Sequence, residues 1–242
     1  MRMPKFRALA APLLTLALLL ACSGDGAGPA DADLDLVWDF NADRQGWTPG
    51  FVDYPAGQES FYELAGEVRP LPAPLAGRAG FLLSGNNHSD DLFMYLRRRV
   101  TGLEPGATYR VAFRVELATN APAGCIGVGG APGEGVRLKV GAAPEEPRPV
   151  AEPASGWFRL SVDKANQGEE GSAVLELGDI AGTNRDCTAP RYEMKTFDSG
   201  GRTLDVAASA AGEIWLFVGT ESGFEATTSL YYTRIAASLT RR

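Results

Sequence analysis

Thr108-Tyr109-Arg110-Val111-Ala112-Phe113-Arg114-Val115-Glu116-Leu117 decides the fold class. Tyr109, Val111, Phe113, Val115 and Leu117 occupy every second position, with Arg110, Arg114 and Glu116 between them. A period of two sets one row against a core and the other in water only if the segment is a β-strand. Outward from it, alternation or runs of β-branched and aromatic residues recur at 34–40, 61–64, 81–83, 92–100, 136–140, 158–162, 174–177, 192–197, 204–207, 214–218 and 230–236. Gly, Pro, Asn and Asp separate these segments, and no amphipathic helical stretch of useful length interrupts them. Many short strands joined this way predict an all-β chain, a jelly-roll β-sandwich. Residues 34–242 suit one such domain, long enough to build a proper core.

The front of the chain reads differently. Arg2, Lys5 and Arg7 precede an apolar run from Ala8 to Ala21 that closes on Leu19-Leu20-Ala21-Cys22. A basic start, a short apolar stretch and small residues at its end are the layout of a secretory signal. The run is shorter than the ~20 residues of a spanning helix, and Pro12 interrupts it. The closing tetrapeptide resembles a bacterial lipoprotein signal. That resemblance implies a signal peptide over 1–21, cleavage before Cys22, and an acyl group on Cys22 that makes a lipid membrane the chain's first partner. Leu20 departs from the Ala or Ser preferred there, which leaves open ordinary cleavage with Cys22 unmodified. Ser23 after the cysteine resembles outer-membrane rather than inner-membrane sorting, so the expected location is exported and anchored in the cell envelope. Residues 22–33 are mostly Gly, Ala, Pro, Asp and Ser and read as a flexible tether.

Setting aside the three basic residues of the leader leaves 20 basic against 30 acidic, a formal −10. That balance argues against nucleic acid as a partner, and against an anionic lipid surface. It suits bound cations, or solubility alone. With Cys22 assigned to lipid, Cys125 and Cys187 remain as a pair that an exported location allows to bridge; two free thiols are the alternative. No CxxC pair or His/Cys cluster marks a zinc site.

Two short motifs carry a further resemblance. Gly102-Leu103-Glu104-Pro105-Gly106-Ala107-Thr108-Tyr109 places a Pro-Gly turn before the long alternating strand. It looks like the turn common in extracellular β-sandwiches, including fibronectin type III and carbohydrate-binding modules. Trp38-Asp39-Phe40 leading to Gly46-Trp47 resembles the opening of galactose-binding-like jelly rolls. Leu230-Tyr231-Tyr232-Thr233-Arg234-Ile235 looks like their last strand, which returns beside the first. The resemblance implies a jelly roll and names no ligand.

Asn86-Asn87-His88-Ser89-Asp90-Asp91 is the densest polar cluster and holds the only histidine. Hard cations want several oxygens close together, so Asn87, His88, Asp90 and Asp91 are the candidate ligands of a structural Ca²⁺. A plain polar turn and a catalytic role are the alternatives. Asp163 and Asn166, in a turn of hydrogen-bonding residues, are candidate contacts for sugar hydroxyls. Trp47 and Tyr54, in a Gly- and Pro-rich region, are candidate stacking partners for a sugar ring, with core burial as the other reading. Cys125 to Gly135 is glycine-rich without the context of a dinucleotide or phosphate loop and reads as a tight loop pinned by Cys125. No catalytic residue is assigned: there is no Gly-x-Ser-x-Gly, and His88 has no evident serine partner.

These readings converge on non-catalytic binding of a carbohydrate or another extracytoplasmic ligand. A structural lipoprotein working through protein contacts, and a glycan-active hydrolase or lyase with two converging carboxylates, are the alternatives.

Overall fold

The computed structural model describes residues 33–242. The leader, Cys22 and all but the last residue of the tether lie outside the described residues. The described residues lie in one compact unit, and they form strands and turns but no helix.

Fifteen strands follow one another. They are β1 (Leu34–Asp39), β2 (Thr48–Val52), β3 (Tyr54–Pro55), β4 (Ala65–Pro70), β5 (Ala79–Asn86), β6 (Leu92–Val100), β7 (Thr108–Thr119), β8 (Val136–Ala143), β9 (Pro149–Ala151), β10 (Trp157–Leu160), β11 (Val174–Asp179), β12 (Glu193–Asp198), β13 (Leu204–Ala207), β14 (Ile214–Ser222) and β15 (Thr227–Arg241). One sheet runs β12-β7-β15-β5-β4, with β1 added to β15 and β13 to β7; the other runs β11-β8-β14-β6-β2. The chain passes from one sheet to the other at β1 to β2, β5 to β6, β6 to β7, β7 to β8, β11 to β12, β13 to β14 and β14 to β15. Every pairing is antiparallel. Two facing antiparallel sheets with repeated crossings are the jelly-roll sandwich expected from the pattern.

The alternating face of β7 supplies the core as its spacing requires. Tyr109, Val111, Phe113, Val115 and Leu117 are buried beside Leu92, Met94 and Leu96 of β6 and Ile214, Leu216 and Val218 of β14. In the Pro-Gly turn, Leu103 and Tyr109 close the rim of that core, and the Tyr109 hydroxyl accepts the amide of Glu104 at 3.0 Å. The last strand does return beside the first, pairing β1 from Leu34↔Leu239 to Asp39↔Arg234. Cys125 and Cys187 form the disulfide, with Cα atoms 5.8 Å apart.

Two parts of the strand pattern are corrected. Residues 61–64 form a turn, with the Tyr62 amide bonded to Gln58 O and Glu63 at φ 52°. The aromatics there are buried or clustered by packing rather than by pairing. Conversely, β2 and β4 carry Pro and Gly and show no alternation, yet they pair fully with β6 and β5.

The five-stranded sheet is covered on its outer face too. Phe93, Tyr95 and Phe217 lie there with Val52, Ala143 and Val174, roofed by Phe158, Leu160, Val162 and Ala173. The roof is a strap of chain, residues 149–173, whose β9–β10 hairpin extends to β3 in a small third sheet. The segment Pro144 to Pro153, which reads as an exposed Pro- and Glu-rich loop, is mostly exposed and forms β9 within it; the roof residues follow from Phe158. Glycines make room for the strap: a Cβ on Gly141 would lie 2.1 Å from the Phe217 ring, and one on Gly50 2.3 Å from the Tyr95 ring.

Candidate functional site

The outer-face row of β14 runs Phe217, Gly219, Glu221, and that of β8 runs Lys139, Gly141, Ala143. By the same alternation that buries Phe217 under the strap, Glu221 and Lys139 come under its far end. Both side chains are fully buried, at 0% exposure. A charge with no access to water needs a partner and hydrogen bonds to its remaining valences. Lys139 Nζ meets all of that requirement: it lies 2.5 Å from Glu221 Oε2 and donates to the carbonyls of Lys164 at 2.9 Å and Asn166 at 2.8 Å.

The network grows outward from this pair. Lys164 Nζ pairs with Glu221 Oε1 and lies 3.0 Å from Asp53 Oδ2. Asp53 sits in the turn after β2 at φ 65°; its amide bonds to Phe158 O at 2.7 Å, and its carbonyl accepts the Ser89 hydroxyl at 2.9 Å. Arg159 Nη1 donates to Asp53 Oδ1 at 2.8 Å and reaches Asp91 Oδ2 at 3.4 Å. Three carboxylates therefore meet three cations, in order of depth from Glu221 and Lys139 to Asp91 and Arg159.

Burial raises the Asp91 carboxyl to about 6, the Asp53 carboxylate adds to the rise and Lys164 opposes it. A hydrogen bond to Glu221 also favours the protonated form. Burial alone would depress Lys164, but Glu221 and Asp53 outweigh it and hold the ammonium above its ordinary value. Arg159 is held above its ordinary value by the Asp53 hydrogen bond.

Above the network is an open groove of about 340 Å³ lined by Asp53, Asp91, Arg159, Lys164, Asp163 and Asn166 among others. Asp163 Oδ2 accepts the Ser172 amide at 2.8 Å, and its Oδ1 accepts the Ala165 amide at 3.0 Å. These backbone bonds, with the Ser172 hydroxyl, keep its carboxyl below the usual range. Asn166 is exposed at the rim while its carbonyl is gripped by Lys139. The arrangement offers fixed acceptors, an amide and a guanidinium at one shallow surface.

The sequence candidates thus divide. Asp163, Asn166 and Asp91 come together at the groove. Trp47 does not: at 0% exposure it packs edge-on against Trp38 and Phe40 in the core. Tyr54 is also buried, against Tyr62 and Phe158. Asn87 is spent on structure, its amide donating to the carbonyls of Ser222 and Phe224 and its Oδ1 accepting from Ser89. His88 is exposed and stacks on Phe61 with centroids 4.1 Å apart. Asp90 is exposed, and its carbonyl accepts from Gln167.

Lys139, Glu221, Asp53 and Arg159 went unread in the sequence, and Lys164 reads only as part of the hydrogen-bonding turn of Asp163 and Asn166. Lysine in Val136-Arg137-Leu138-Lys139-Val140 looks like an ordinary solvent-facing residue of an alternating strand. Its one available signal is that Glu221 lies two residues beyond Gly219 and four beyond Phe217, on the same face of a neighbouring strand.

Asp53, Asp91 and Glu221 each offer an oxygen, and the three lie within 4.8 Å of one another. That spacing could hold a cation. A Ca²⁺ takes six to eight oxygens, and here the ammonium groups of Lys139 and Lys164 already sit on the same carboxylates. An ion would enter only by displacing Lys164. Of the loop residues considered as ligands, Asp91 alone belongs to this set.

No family model matches the chain, and no curated protein matches it. Solved structures similar to it include TmCBM61 in complex with β-1,4-galactotriose, at 14% identity over 83% of this chain and 91% of that one, with a TM-score of 0.35. Another is the K1 cleaved adhesin domain of Lys-gingipain from Porphyromonas gingivalis W83, at 11% identity over 84% and 97%, TM-score 0.38. A third is the enzymatically active domain of bacteriophage CBA120 tailspike protein 4, at 9% identity and TM-score 0.33; the match covers 78% of this chain and 19% of that one. At these scores the likenesses are partial, and nothing below rests on them.

Proposed function

We propose that the domain is a non-catalytic carbohydrate-binding module, exported and held at the cell envelope, on the outer membrane, by a lipid on Cys22. The observation that carries the binding reading is the groove, where Asp163, Asn166, Arg159 and Asp91 present acceptors and donors fixed by a buried ion network. Sugar hydroxyls both donate and accept, and groups held in place before binding lose less freedom on meeting them. Catalysis is the weaker reading on the same geometry. Glycoside hydrolysis needs two carboxyls free to flank the bond; here Asp163 is engaged by the Ala165 and Ser172 amides and the Ser172 hydroxyl, Asp91 faces Arg159, and Asp53 and Glu221 are buried in ion pairs. A structural Ca²⁺ enters this reading only as an occupant of the Asp53, Asp91 and Glu221 cluster that replaces the Lys164 ammonium.

Glycan-array binding of residues 31–242, in calcium and in EDTA, tests the reading. Specific binding that Asn166→Ala and Asp163→Ala each weaken supports the groove, and its loss in EDTA supports the ion. Absence of binding in both buffers rejects the carbohydrate reading for the sugars tested. Globomycin-sensitive processing and acyl labelling that Cys22→Ser abolishes would test the anchor; an unlabelled wild type rejects it.

A further inference from the structure

A second cavity shares no lining residue with the groove. It has a volume of about 310 Å³ and is bounded by the loop after β7, the loop before β12 and the start of β15. Its inner wall is core: Ala121 and Ile180 are buried, and both belong to the main hydrophobic cluster. Its outer wall is the Cys125–Cys187 disulfide with Ile126 and Phe224.

Two features separate this cavity from a packing defect. The first is that its wall cannot relax inward. The glycine-rich loop is pressed so tightly that a Cβ on Gly127 would lie 2.4 Å from the Phe224 ring, and one on Gly133 2.6 Å from Ala181. The disulfide ties the same loop to the segment before β12. The second is Thr228. It is 6% exposed, lines the cavity, and its hydroxyl has no hydrogen-bond partner among the described residues. A buried hydroxyl left unpaired costs about 1–3 kcal/mol, and one that lines a cavity is a ready partner for a polar group placed there. At the mouth stands Ile126, at 99% exposure, an apolar lip with nothing on it.

We propose that this cavity is a binding site for a small uncharged amphipathic molecule, with an apolar ring or methyl-bearing body against Ile126, Phe224 and Ile180 and one hydroxyl or amide group meeting Thr228. The size suits a ligand of one ring. Among the described residues no acidic or basic side chain lines the cavity, so a charged group would be desolvated there without a counter-ion. The site is independent of the sugar groove and stands if that reading fails.

The test uses the full chain with labelled Ala, Ile and Thr methyl groups, titrated with cyclohexanol and, in parallel, with cyclohexylammonium. Cyclohexanol should give saturable shifts confined to Ala121, Ile126, Ile180 and Thr228, and cyclohexylammonium should give none. Thr228→Val keeps the side-chain shape and removes the hydroxyl. It should weaken cyclohexanol by roughly tenfold while leaving the fold as stable as wild type or more so. Ala121→Leu should abolish the shifts by filling the cavity. Linear, unsaturable shifts, equal response to the ammonium probe, or persistence of the shifts in Ala121→Leu would each overturn the site. A destabilised Thr228→Val, or one with unchanged affinity, would overturn the role of the hydroxyl as the polar anchor.

Discussion

Replacing Lys139 with methionine isolates the centre of the charge network, because methionine fills similar space without the ammonium. Three contacts vanish together: the 2.5 Å pair with Glu221 and the bonds to the carbonyls of Lys164 and Asn166. Glu221 is left fully buried with Lys164 as its only remaining cation. Breaking a buried pair from one side costs about 3–5 kcal/mol, mostly the price of the uncompensated charge. Lys139→Met should therefore lose about that much in urea unfolding followed by tryptophan fluorescence. Removing both charges takes away the larger part of the penalty. Lys139→Met with Glu221→Met should lie only about 1–3 kcal/mol below wild type, the cost of the two carbonyls left without a donor. The double-mutant coupling should be at least about 2 kcal/mol. A single variant within about 1 kcal/mol of wild type would refute the network as described. So would a double variant as unstable as the two singles added.

Asp91 gives a pH signature. Its carboxyl is raised from 3.8 to about 6 in the folded chain, so the folded state binds the proton more tightly than the unfolded state. Stability from this group is therefore full below 3.8, falls as pH rises toward about 6, and is constant above. Relative to wild type, Asp91→Asn should gain on the order of 1–2 kcal/mol across that window after allowance for solvent screening. Urea midpoints of the two proteins that keep a constant separation from pH 4 to 7 would contradict it. Cys125→Ala with Cys187→Ala opens a link between residues 62 apart, and loss of the loop constraint should cost about 4 kcal/mol, read against the oxidised protein in the same denaturant. Gly141→Ala should cost about 1–3 kcal/mol by forcing the Phe217 ring from its seat; a neutral effect would mean that the strap yields easily.

The sandwich was legible where burial is one-sided. In β7 the inward and outward rows differ in kind, so its period announces both strand and core face. It failed where the outer face is buried as well. Thr48-Pro49-Gly50-Phe51-Val52 has no alternation because Gly50 is set by the Tyr95 ring of another strand and not by its own neighbours. Phe61 to Leu64 misled in the opposite sense, since aromatic content without a partner strand makes a turn. The groove was half legible for the same reason. Asp163 and Asn166 announce a hydrogen-bonding turn locally. Lys139 and Glu221, 82 residues apart, become a pair only when β8 and β14 lie side by side under the strap.

Burial on both faces has a consequence for how the five-stranded sheet finds its alignment. In a sheet with one wet face, a slip of one residue turns the apolar row into water and is rejected. Runs such as Leu92 to Leu96 and Ile214 to Val218 would stay apolar on either face after such a slip. What rejects it here is shape. Gly50 and Gly219 are the direct cross-strand partners of Tyr95, and Gly141 is the partner of Phe217. The Tyr95 ring lies over the bare backbone of Gly50 and the Phe217 ring over that of Gly141, while at Gly219 a Cβ would meet the Phe93 ring. The three glycines act as notches and the three rings as teeth, so this sheet is keyed mechanically rather than sorted by solvent.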